Sequence, residues 1–146
     1  MNLSNLTKEE KKILATGKLL AYCDDTITIE PPCYAEMIFD LFNSFWYTGY
    51  SRNGETPLEK LQNDFPNIGE NELIDLIDYF KHVEDYCSRV CCAYAMKYPY
   101  PVVSKKNKEE REDFGRVVKA CRKRYPWLKE EWIGSYLYGV VAMCIR

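Results

Sequence analysis

The chemistry open to this chain is set by one histidine, seven cysteines and a few carboxylates that fall among apolar neighbours. Cys33 follows Pro31-Pro32, where a helix is expected to begin. A helix N-terminus lowers a thiol's pKa and favours the nucleophilic thiolate. Such a nucleophile also needs a base, and His82 is the sole histidine. No motif of a thiol enzyme surrounds either residue, so Cys33 reads as a small packed side chain. Glu84 falls near Ile77 and Cys91 on the helical wheel. A carboxylate in that setting is paired or raised in pKa. Pairing with a Lys or Arg of another helix is the expectation, and general acid–base work is the minority reading.

Asp75, Asp78, His82 and Asp85 form a polar stripe opposite the apolar arc of the same helix. At 1.5 Å per residue they spread over about 15 Å, too far to share one ion. The stripe therefore reads as a solvated face, or as a docking surface for a basic protein. Catalytic zinc takes two or three histidines and di-iron bundles need paired Glu-x-x-His, and neither set is present. Cys-x-x-Cys spacing is absent, as are the Gly-rich phosphate loops. No metal or cofactor is expected. Cys87 and Cys91 lie on an apolar arc and read, with Cys92, as small hydrophobes.

Several elements must position these groups. Thr7-Lys8-Glu9-Glu10 is a capping box opening a helix over about 8–22. Thr26-Ile27-Thr28-Ile29 alternates briefly, which leaves open a short hairpin with residues 100–103. Pro31-Pro32 is expected to start a helix over 32–48. Met37, Ile38, Leu41, Phe42, Phe45 and Trp46 give it a wide apolar arc, so it is expected to be central. Its one polar stripe, Glu36, Asp40, Asn43 and Tyr47, is the best candidate for lining a small-ligand or enzymatic pocket. Thr56-Pro57 predicts a helix over 57–64, and further helices are expected at 70–97, 106–124 and 128–145. The last is apolar nearly all round. Its Ser135, Gly139 and Ala142 stripe allows close helix approach, either in a buried centre or between copies of the chain.

A phrase recurs 60 residues apart. Leu61, Phe65-Pro66, Ile68 and Glu70 match Cys121, Tyr125-Pro126, Leu128 and Glu130. In both, an aromatic closes one helix, Pro forbids its continuation, and Glu opens the next. A duplicated helix–Pro–helix hairpin and a convergent corner both account for it. Leu61, Phe65-Pro66 and Ile68 also resemble the ubiquitin-binding CUE module. That module continues with a short helix ending in paired leucines. A long helix follows here, so no function is carried over.

Net charge is −2, yet residues 24–92 carry 14 acidic and 4 basic side chains, and residues 97–129 carry 11 basic and 4 acidic. Arg116, Lys119 and Lys123 share one helix face, with Arg122 beside them. As a helix-turn-helix this arrangement is poor, because the following helix would read DNA and is nearly uncharged. Residues 1–16 lack an apolar signal core, and 132–145 is too short for a span of about 20 residues. With seven thiols, a cytoplasmic location away from membranes is expected.

The expectation is an all-α, single-domain bundle of five or six helices over residues 1–146, built around 32–48, 70–97 and 128–145. Its leading role is a non-enzymatic cytosolic protein-interaction module, of inhibitor, immunity or adaptor type. The alternatives are a nucleic-acid-binding regulator using Arg116, Lys119, Arg122 and Lys123, and a pocket protein using the stripe on 32–48. Self-association through 128–145 is a further expectation.

Overall fold

The computed structural model describes residues 23, 26–42, 54–98 and 107–144. Five helices follow in order: α1 (Ala35–Phe42), α2 (Pro57–Asp64), α3 (Glu70–Lys97), α4 (Lys108–Arg124) and α5 (Glu130–Cys144). There is no strand among the described residues, and the all-α expectation holds. No described helix is long and apolar enough to cross a membrane. Contacts divide the chain into two compact units, one of Glu30–Glu84 and one of Met1–Ile29 with Asp85–Arg146. The charge asymmetry follows this division. Glu30–Glu84 carries 11 acidic and 3 basic side chains, net −8, and the other unit 11 acidic and 17 basic, net +6.

In Glu30–Glu84, the first helix starts three residues later than the prolines predict. Tyr34 has φ 70°, in the left-handed region, and so cannot belong to a helix. The Ala35 N–H donates to Pro32 O at 3.3 Å and the Ile38 N–H to Tyr34 O at 2.9 Å, which sets α1 after the turn. Pro31 and Pro32 therefore precede the helix rather than form its first turn. Ala35, Ile38 and Phe39 are buried, whereas Met37 and Leu41 are 46% and 63% exposed. The expectation that this apolar arc is buried in the centre of the bundle does not hold for these positions. Apolar content creates a demand for cover, and only packing decides which side chains obtain it.

The next two helices start and stop on local chemistry. Thr56 Oγ1 accepts from the Glu59 N–H at 3.2 Å with Pro57 at the first helical position, so α2 begins where its cap places it. The Phe65 N–H donates to Leu61 O at 2.8 Å and closes α2, and the Leu73 N–H donates to Gly69 O at 3.1 Å as α3 opens. Leu61, Leu73, Leu76, Phe80 and Val83 form the core of this unit. Phe39 meets Phe80 with ring centroids 6.4 Å apart.

In the other unit, α3 is enclosed. From Tyr86 to Ala95 every residue except Arg89 is buried. Val117, Ala120 and Cys121 of α4 and Ile133, Leu137 and Val141 of α5 are buried as well. The Tyr125-Pro126 corner has the same local geometry as the Phe65-Pro66 corner. Tyr125 N–H donates to Cys121 O at 2.9 Å and Leu128 N–H to Tyr125 O at 3.0 Å. The closing residues have φ, ψ of −131°, 67° at Phe65 and −128°, 81° at Tyr125. Of α5, one stripe is buried, while Ser135, Tyr138, Gly139 and Ala142 are exposed. It is a one-sided helix rather than a buried centre.

Residues 26–29 form no strand. The Ile29 N–H donates to Arg124 O and Thr28 Oγ1 to Lys123 O, both at 2.8 Å. These bonds satisfy carbonyls that the end of α4 leaves without helical partners. The alternating residues thus cap a helix instead of pairing as a hairpin. Residues 8–22 and 100–103, expected as a helix and the second hairpin strand, lie outside the described residues.

Candidate functional site

The charges of α4 are sorted along its length. Its four acidic residues, Glu109, Glu110, Glu112 and Asp113, fall in the first two turns beside Lys108 and Arg111, and its last turn carries Arg122, Lys123 and Arg124, where the helix dipole favours cations. The acidic end is committed to internal bonds. Lys97 Nζ donates to Asp113 Oδ2 at 2.7 Å and to Glu109 Oε1 at 2.9 Å. Tyr98 donates to the same Asp113 oxygen at 2.5 Å, and Tyr94 donates to Glu110 Oε1 at 2.8 Å. Glu110 and Asp113 are only 4% and 5% exposed. The hydrogen bond to Asp113 holds the Lys97 ammonium well above the usual lysine range. Burial, followed by the bond to Glu110, pushes the Tyr94 phenol up, and Tyr98 rises through burial and Asp113.

The basic end faces outward. Arg116, Lys119, Arg122 and Lys123 are exposed. Among the described residues, Lys119, Arg122 and Lys123 form no ion pair. Two concavities adjoin here. One, of about 440 Å³, has Phe114, Gly115 and Val118 for its apolar wall and Lys119, Arg122, Lys123 and Glu130 for its polar rim. The other, of about 280 Å³, is lined by Arg116, Ala120 and Cys23. Lys119 and Lys123, one turn apart, line both and form the ridge between them. Arg124 departs from this group. Its guanidinium lies 4.3 Å from the Tyr86 ring centroid, a cation–π contact within the unit.

The remaining sequence candidates are placed differently. Asp75, Asp78 and His82 are exposed, and exposed Asp85 is held by Arg89 Nε at 3.0 Å. No group of His, Cys, Asp or Glu able to hold a metal ion occurs among the described residues. Glu36 and Asp40 are exposed, and Asn43 and Tyr47 lie outside the described residues. Cys33 is exposed, and Glu84 is half-buried. Cys87 is buried, and its hydrogen bond to Cys121 and its burial push its thiol pKa up, away from nucleophilic use.

Sequence reasoning missed the inward-facing carboxylates. Their signal was present. Glu110 and Asp113 stand seven and four residues before Val117 and so share its buried face. No family model, curated protein or solved structure matches the chain.

Proposed function

We propose that the chain is a non-enzymatic binding module that holds the phosphate backbone of a single-stranded nucleic acid on the basic end of α4. The observation that carries this reading is the cluster Lys119, Arg122 and Lys123, exposed, without ion pairs among the described residues, and lining two adjoining concavities. A phosphate chain neutralises such a row and releases counterions. The nearly uncharged α5 speaks against groove reading of duplex DNA, but phosphate contact needs no recognition helix. Docking of a basic protein on Asp75, Asp78 and His82 remains a second proposal, supported by their exposure. The basic end is favoured because its cations converge on concave surface, which suits a chain of phosphates.

The test is binding of a single-stranded oligonucleotide across a salt series. The affinity is expected to fall steeply with salt. Joint replacement K119A/K123A is expected to lower the log–log slope by about 1.4, at roughly 0.7 per phosphate contact. Failure of the unmodified chain to bind at low salt would overturn the reading. Salt-independent binding would do the same.

A further inference from the structure

Resting on that reading, we infer that the larger concavity takes one unstacked nucleobase, while the adjoining phosphates lie along the Lys119–Lys123 ridge. The two concavities differ in chemistry. Arg116, Ala120 and Cys23 line the smaller one. The larger one presents the half-buried Phe114 ring, with Gly115 and Val118 beside it. Its volume of about 440 Å³ lies within the roughly 300–1,000 Å³ typical of small-ligand sites. Every base has a π-face, and stacking on an aromatic side chain is the usual means of holding single strands without reading sequence.

Three features fix the occupant and its orientation. First, Gly115 stands in the interior of α4, where glycine weakens a helix, and a Cβ built there meets nothing within 4 Å. The absent side chain leaves the approach to Phe114 open. Phe114 is itself fixed by edge contacts with Tyr94 and Tyr138, at centroid distances of 6.0 and 6.2 Å, so the wall is preorganised. Second, Glu130 lies on the rim of this concavity only, and its carboxylate repels a phosphate. The phosphates therefore belong on the ridge, where Lys119 and Lys123 serve both concavities. Third, an uncharged apolar ligand would leave three exposed cations without a counter-charge, and inorganic phosphate alone would leave the Phe114 wall uncovered. A nucleotide unit within a strand satisfies both halves.

The experiment compares an oligonucleotide with an abasic strand of equal length, using the full chain. The unmodified chain is expected to bind the base-bearing strand about tenfold more tightly, the effect of one stacked base. Gly115→Leu is expected to remove that preference, bringing the affinities for the two strands to within about twofold of each other. Leucine is a better helix former than glycine and enters open space, so the variant should retain its fold. A circular dichroism melt confirms this. Equal binding of both strands by the unmodified chain would overturn the base site and leave the phosphate reading standing. Binding of neither strand would overturn both. A base preference that survives Gly115→Leu would place the base elsewhere and sink this inference.

Discussion

Lys97 Nζ on the last turn of α3 donates to Asp113 Oδ2 on the second turn of α4 at 2.7 Å. Asp113 is buried, Lys97 is a quarter exposed, and Tyr98 donates to the same carboxylate oxygen. Removing the carboxylate leaves an ammonium and a phenol without their acceptor. Asp113→Ala is therefore expected to cost about 2–3 kcal/mol, discounted for the solvent that reaches Lys97. The Asp85–Arg89 pair is more exposed, and Asp85→Ala is expected to change stability by less than about 0.5 kcal/mol. Urea unfolding of the two variants measures the contrast. Equal effects would show that burial does not set the strength of these pairs.

Stability is expected to fall on the alkaline side. Tyr86, Tyr94, Tyr98 and Tyr125 all have phenols raised above the ordinary value of 10.0, with burial the largest cause. The unfolded chain then loses these protons before the folded one does. Their contribution is full below about pH 10 and is lost as the pH climbs through the raised values. Lys97, also raised, acts with the same sign. Thermal unfolding followed from neutral to strongly alkaline pH should show a declining Tm above about pH 10, with a shallower decline in Tyr94→Phe. A flat profile would contradict the inward placement of these phenols.

Two glycines are expected to respond oppositely to alanine. Gly115 is helical with open space around its missing Cβ, so Gly115→Ala should stabilise by about 0.5–1 kcal/mol. Gly54 has φ 75°, where a Cβ is strained, so Gly54→Ala should destabilise by about 1 kcal/mol. Chemical denaturation midpoints of the two variants check the signs.

Helix caps should contribute comparably in the two units. Thr56 Oγ1 accepts from the Glu59 N–H at 3.2 Å, and Asn107 Oδ1 accepts from the Glu109 N–H at 2.8 Å. Thr56→Ala and Asn107→Ala should each cost about 1 kcal/mol. Calorimetry of the single variants and the double variant measures both costs, which should add.

What was legible in the sequence was local. Thr56-Pro57 and the breaks at Phe65-Pro66 and Tyr125-Pro126 placed α2 and α3 at their observed bounds, and α4 and α5 within two residues of theirs. A cap and a proline act on the backbone within one turn, so they need no partner from elsewhere in the chain. The same holds for the basic face of α4, since residues three and four apart are neighbours on any helix. Tertiary structure decided the rest. It turned Glu110 and Asp113 inward toward Tyr94, Lys97 and Tyr98, while Lys119, Arg122 and Lys123 form no ion pair among the described residues. It set residues 26–29 against the carbonyls of Lys123 and Arg124 rather than in a hairpin. It left Met37 and Leu41 exposed on a helix whose composition asked for burial. The physical reason is common to all three. Periodicity states which side chains share a face, but the free energy of covering a face depends on groups distant in sequence.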